Sequence, residues 1–160
     1  MTPWPELDRM MAGFLVRLPE RPRVLDAGCG PGRDTLLLRG RGARAVGLDR
    51  SFGALRSQSL SRAVQGDMRA LPLRDRAFDG VWCRTALLQV PPPDVPGVLG
   101  EFARVTRPAG ALHLGVSEGA PPGHRLEPLR KLLAEAGWTV VDVERLHLRR
   151  DWLYLLAHRA

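Results

Sequence analysis

The sequence predicts a single α/β domain built on a mostly parallel sheet covered on both faces. Three observations carry that prediction. Short strand-like apolar stretches and helix-period stretches alternate along the chain, the pattern left by crossover connections between parallel strands. The alternation closes with two strand-like stretches, 138–148 and 151–158, joined only through Arg149 and Arg150. So short a connection makes that pair antiparallel. A glycine-rich loop, Asp26-Ala27-Gly28-Cys29-Gly30-Pro31-Gly32, follows the first apolar stretch and opens a helical one.

The elements follow in order. Trp4, Leu7, Met11, Phe14, Leu15 and Leu18 recur at helical spacing, which predicts an amphipathic helix over 5–18, ended by Pro19 and Pro22. Its apolar stripe either packs on the sheet or, within residues 1–20, closes over a site as a lid. Residues 23–27 read as the first strand and 34–39 as a helix stopped by Gly40 and Gly42. Residues 43–48 form the second strand, ending at Asp49. Ser51 caps a short helix over 52–57. Residues 62–65 give a third strand, 71–76 a turn-rich connection and 78–83 a fourth strand. Pro91, Pro92 and Pro93 impose an extended segment. Val95, Val98, Leu99, Phe102 and Val105 then mark a helix, broken by Pro108 and Gly110. Residues 111–116 are the fifth strand, and Leu126, Leu129, Leu132, Leu133 and Ala136 mark the last helix, stopped by Gly137.

Composition narrows the function classes. The 160 residues fit one domain, and an apolar share of 44% supplies a core. No apolar run approaches the length of a membrane span. The first twenty residues carry Glu6, Asp8, Arg9 and Arg17 and do not form a signal peptide. A cytoplasmic protein with no membrane partner is the expectation. Cys29 and Cys83 make neither a disulfide framework nor a zinc site, and His113, His124, His147 and His158 are scattered. No metal is expected, and each histidine is read as structural. The net charge is +7 and rests on arginine, Lys131 being the one lysine. The arginines are dispersed, so a polyanionic partner is not indicated by any block of charge.

The residues that bear chemistry all fall at strand carboxyl ends, where open parallel sheets bind ligands. Gly28, Gly30 and Gly32 follow the first strand and Asp49 the second. Asp67 follows the third, Cys83-Arg84-Thr85 the fourth, and Ser117-Glu118 the fifth. Glycines let a ligand lie against the backbone, and the following helix offers unpaired N–H groups to an anion. Asp49 is placed to accept from ribose hydroxyls, a feature common to dinucleotide and adenosylmethionine sites. Three details favour the second. The third glycine of a Gly-x-Gly-x-x-Gly loop is replaced by Arg33. Asp26 would repel a pyrophosphate but suits an ammonium group. Asp67 adds an acceptor for an adenine amino group.

These motifs resemble those of class I S-adenosylmethionine-dependent methyltransferases. The first is residues 24–35, the second Val46-Gly47-Leu48-Asp49-Arg50-Ser51. Gly66-Asp67-Met68-Arg69-Ala70-Leu71-Pro72-Leu73 and Phe78-Asp79-Gly80-Val81-Trp82-Cys83 resemble the middle of that family. Residues 101–110 resemble the approach to its fifth strand, with Ala109 where glycine is usual. The resemblance implies a Rossmann-like sheet of order 3-2-1-4-5-7-6 with its seventh strand antiparallel, and S-adenosylmethionine as methyl donor, leaving as S-adenosylhomocysteine. It places Gly28 and Gly30 at the methionine part with Asp26 nearby, Asp49 at the ribose, Asp67 and Met68 at the adenine, and Arg50 among the cofactor-binding residues. Arg33 is placed at the cofactor carboxylate and Arg84 on the methyl-transfer side.

In-line methyl transfer needs alignment above all, and a base only when the acceptor must lose a proton early. Thr85 and Gln89 are candidates to orient an acceptor and Glu118 to act as a base. The acceptor itself is unknown, a small molecule being favoured over RNA or protein. A non-catalytic S-adenosylmethionine-binding module is the reading of a different class. Only residues 117–125 join the fifth strand to the last helix, so residues 1–20, a second subunit in a homodimer, or the substrate is expected to cover the site.

Overall fold

The computed structural model of the chain describes residues 4–56 and 61–160. In chain order the elements are α1 (Pro5–Leu15), β1 (Arg23–Ala27), α2 (Arg33–Gly40), β2 (Arg44–Asp49), α3 (Phe52–Arg56), β3 (Ala63–Gln65), β4 (Phe78–Arg84), α4 (Val95–Val105), β5 (Thr106–Ser117), α5 (Leu126–Glu135), β6 (Trp138–His147) and β7 (Asp151–Arg159). The seven strands form one sheet in the order β3-β2-β1-β4-β5-β7-β6. The first five are parallel to one another, and β7 is antiparallel to both β5 and β6. The order and the antiparallel strand are those the resemblance implies.

The strand period of two splits the core into two layers. Val24, Trp82, Ala111 and Tyr154 face α1 and Leu38 of α2. Leu25, Val81, Leu112, Leu114 and Leu155 face the other way, onto Phe102 of α4 and Leu133 of α5. Central strands buried on both faces read as unbroken apolar runs, and Phe78 to Cys83 is buried throughout.

Local differences from the sequence reading have local causes. α1 ends at Leu15 because the chain tightens there, with Arg17 N–H bonded to the Phe14 carbonyl and Leu18 N–H to the Leu15 carbonyl. Of the two alternatives for its apolar stripe, the helix takes sheet packing. It buries Leu7, Met10, Met11 and Phe14 against the sheet. The prolines do not impose one extended segment. Pro91 alone is extended, while Pro92–Asp94 forms a 3-10 turn leading into α4, since a proline φ also suits a helix start. β5 pairs from Thr106, four residues earlier than Gly110, because residues 107–110 are absorbed as a bulge against β4, with Ala109 at φ +65°. Ser51 does cap α3, its hydroxyl accepting from Ala54 N–H at 3.1 Å. Ser57, expected in that helix, lies outside the described residues.

Candidate active site

The cleft at the strand carboxyl ends is assembled from the glycine loop upward. Gly28 and Cys29 donate their N–H groups to the Leu48 carbonyl at 2.8 and 2.9 Å, tying the loop to the end of β2. Gly28 and Gly30 both take positive φ, +71° and +53°, conformations that side-chain-bearing residues avoid. Their surroundings differ. A Cβ on Gly28 would stand 2.1 Å from the Ala86 Cβ, whereas one on Gly30 would meet no atom within 4 Å. Gly28 is therefore needed for packing, and Gly30 leaves the cleft floor open.

The opposite wall begins at Thr85, which leaves β4 at φ +79° and donates its N–H to the Gly115 carbonyl at 2.9 Å. A β-branched residue at positive φ is a strained outlier of the kind found at functional sites. It swings Ala86–Gln89 into a 3-10 turn that lies against Gly28. The resulting cleft is ≈ 710 Å³ counted out to its mouth and is lined by Gly28, Gly30, Asp49, Arg50, Asp67, Met68, Thr85 and Gln89 among others.

Both carboxylates of the cleft are held in place by the protein. Asp49 accepts the Gly30 N–H on Oδ2 and the Ser51 N–H on Oδ1, each at 2.8 Å. Each oxygen keeps a lone pair for a ligand hydroxyl. Asp67 accepts the Arg69 side chain at 2.7 to 3.1 Å and the Arg69 backbone N–H at 2.9 Å. The hydrogen bonds from Arg69 lower its pKa to about 2, so it stays an acceptor at any physiological pH. Two oriented carboxylates, an open glycine floor and the thioether of Met68 fit an adenosine-type ligand. No cluster of three metal-ligating groups occurs among the described residues.

Four of the expected site residues do not line the cleft. Asp26 is 2% exposed and accepts the Thr35 hydroxyl at 2.7 Å, locking the first turn of α2. Burial raises its pKa to about 7. Arg33 is exposed on α2 and does not line the cleft. Arg84 turns away to the sheet face covered by α1. There its Nε and Nη2 bond Asp34 at 2.7 and 3.0 Å, beside the Trp82 indole at 2.9 Å, and its guanidinium lies 5.5 Å from the Trp4 ring centre. Asp34 is a buried acid and needs those donors. Glu118 is held by Arg145 at 3.0 to 3.2 Å, at the start of α5 and away from the cleft.

Leu48, Gly66, Arg69, Ala86, Val90 and Pro91 also line the cleft and were not singled out in the sequence. Arg69 had a signal, a cation two residues past Asp67. Val90 and Pro91 read only as chain leading into the prolines. A second groove shares Gln89, Val90 and Pro91 with the cleft and continues over Leu88, Pro121, Pro122 and His124. His124 is half-buried, and burial lowers its pKa, so the ring is neutral at neutral pH. Sequence alone offered no reason to separate it from the other three histidines.

Comparison with known proteins agrees with this geometry. Residues 25–114 match a family described as a methyltransferase domain. The chain is 35% identical over 154 residues to a malonyl-[acyl-carrier protein] O-methyltransferase of Pseudescherichia vulneris, covering 91% of this chain and 56% of that protein. It is 35% identical over 130 residues to a trans-aconitate 2-methyltransferase of Variovorax paradoxus, covering 77% and 49%. The chain thus spans about half the length of these curated relatives. Among solved structures, the 1,6-didemethyltoxoflavin-N1-methyltransferase of Burkholderia thailandensis, holding its substrate and S-adenosylhomocysteine, matches with a TM-score of 0.78 at 25% identity, over 95% of this chain and 77% of that one. A Methanosarcina mazei protein matches in fold with a TM-score of 0.77 at 18% identity, over 99% of both chains. With its motifs, strand order and cleft in agreement, the chain belongs to the class I S-adenosylmethionine-dependent methyltransferases.

Proposed function

We propose that the chain binds S-adenosylmethionine in the cleft between Gly28 and Pro91 and transfers its methyl group to a small-molecule acceptor. The observation that carries this reading is the convergence of Gly30, Asp49, Asp67 and Met68, from three strand ends, on one cleft. Bound there, the cofactor supplies a methyl on a sulfonium centre, which departs as a neutral thioether in an in-line displacement.

The residues do the positioning. Asp49, fixed by two backbone N–H groups, takes the ribose hydroxyls, and Asp67, fixed by Arg69, takes the adenine amino group. Thr85 and Gln89, on the wall opposite the glycine loop, face the acceptor. The adjoining groove from Leu88 to His124 seats its body. Alignment of this kind is worth roughly 7–11 kcal/mol of barrier. His124, neutral through burial, is the proton acceptor for a hydroxyl or amine nucleophile. Glu118, paired with Arg145, is not.

A small acceptor is favoured by the groove's scale and apolar, proline-rich walls. Two of the relatives named above are named for small molecules, trans-aconitate and 1,6-didemethyltoxoflavin, and one for a malonyl group borne on acyl-carrier protein. The test is transfer of label from methyl-tritiated S-adenosylmethionine into a cell extract divided into small molecules, RNA and protein. Label in the small-molecule fraction supports the reading. Label confined to RNA or protein overturns the acceptor class, and no transfer to any fraction overturns catalysis in favour of a binding module.

A further inference from the structure

The opposite end of the sheet carries a second concave site that the methyl-transfer reading leaves unused. Arg23 opens β1, Arg44 opens β2, and Arg62 immediately precedes β3. Arg23 and Arg44 are direct register partners on adjacent parallel strands, so their Cα atoms are about 4.8 Å apart. Like charges set side by side on a sheet repel. Among the described residues none of the three side chains forms an ion pair; the carboxylate beside them, Asp79, accepts the Arg23 backbone N–H at 2.8 Å and is paired with Arg107. Arg44 is instead oriented by a hydrogen bond from its Nε to the Arg21 carbonyl at 3.0 Å. Arg62 occupies a turn at φ +53°, where glycine or asparagine would be free of strain.

The three side chains rim one groove, ≈ 940 Å³ counted out to its mouth, whose floor is Val46, Val64 and Phe78, and no acidic residue lines it. The groove exists because the connection from β3 to β4, residues 66–77, contains no helix. That stretch of sheet face is covered only in part, and Val46 and Val64 are left half-buried. The cofactor cleft uses Leu48, Asp49 and Gly66, toward the other ends of the same strands, so that Asp49 stands about 17 Å along β2 from Arg44. Both sites can be filled at once.

We propose that this groove is a binding site for a phosphate-bearing small molecule with an apolar or aromatic body. Guanidinium forks bind phosphate oxygens in pairs, and a phosphate group between Arg23, Arg44 and Arg62 removes their mutual repulsion. The aliphatic floor takes the apolar body. A concave pocket with an apolar base favours such a ligand over a nucleic-acid strand, which is tracked by an extended basic surface.

The test is a titration of ¹⁵N-labelled protein with 1-naphthyl phosphate at constant ionic strength. Parallel arms use 1-naphthol, inorganic phosphate and an oligouridylate. The expected result is a set of amide shifts confined to residues 23, 44–46 and 62–64, with 1-naphthyl phosphate binding at least tenfold tighter than either of its halves. These shifts persist when S-adenosylhomocysteine is present in excess. The R44A/R62A double variant, and R44Q/R62Q in which the side-chain bulk is kept, weaken binding at least tenfold while the remaining amide spectrum is unchanged. Equal binding by either variant, displacement by S-adenosylhomocysteine, or binding of oligouridylate alone would overturn the proposal.

Discussion

Two glycines of one loop make opposite predictions when each is changed to alanine. At Gly28 the new Cβ would stand 2.1 Å from the Ala86 Cβ, far inside van der Waals contact, so the loop and the turn Ala86–Gln89 have to separate. Overpacking of that kind costs about 1–3 kcal/mol, and the positive φ adds roughly 1–2 kcal/mol. In a domain of this size about 1 kcal/mol lowers Tm by roughly 2–4 °C. Gly28→Ala therefore lowers Tm by about 4–20 °C. At Gly30 the new Cβ meets nothing within 4 Å, so only the φ penalty remains and Tm falls by about 2–8 °C. The methyl of Gly30→Ala stands at the lining of the cleft, and affinity for S-adenosylhomocysteine falls at least tenfold. Differential scanning calorimetry and a binding titration on both variants check this. A larger Tm loss for Gly30→Ala than for Gly28→Ala, or full cofactor affinity in Gly30→Ala, would refute the division of labour within the loop.

Other predictions follow from single groups. Asp26 carries a pKa raised to about 7 by burial, so between pH 4 and 7 the folded state holds a proton that the unfolded state has lost, and stability declines as pH rises through that window. Asp26→Asn keeps an acceptor for Thr35 and removes the decline; its stability advantage over the parent grows to at most about 4 kcal/mol by pH 8, and a flat difference between pH 5 and 8 in urea titrations would contradict the burial argument. Arg84→Ala strips Asp34 of two hydrogen bonds and costs about 2–4 kcal/mol in thermal stability, and an unchanged Tm would show that Trp82 alone satisfies Asp34. His124→Ala leaves S-adenosylhomocysteine affinity unchanged but abolishes the rise of methyl transfer with pH expected of a proton acceptor; weakened cofactor binding would instead place His124 in the cofactor site.

The architecture was legible because its signals are long-range and redundant. Apolar runs at β4 and β5 require cover on both faces, and the short link at Arg149 and Arg150 dictates the antiparallel close. That Asp49 and Asp67 line one cleft was legible for a similar reason, since both stand at strand ends whatever their side chains touch. Side-chain direction was not. Asp26 and Arg84 also stand at strand ends, yet the alternation of a strand sends both toward the face covered by α1 and α2, where Thr35 and Asp34 hold them. Only the register of β1 against β4, Asp26 opposite Trp82, reveals that. Glu118 looked available because its partner Arg145 lies on β6, which sequence could not bring to it. The groove proposed for the acceptor joins two loops, at Leu88 and His124, that are distant in sequence.

The central claim is that the cleft above β1, β2 and β3 is the cofactor site. Calorimetric titration of the chain and of its Asp49→Ala variant with S-adenosylhomocysteine tests it most directly. The account predicts one site per chain in the parent and an affinity at least tenfold weaker in the variant, because the ribose hydroxyls lose their acceptor. No binding by the parent, or equal affinity in the variant while its fold is intact by circular dichroism, would contradict it.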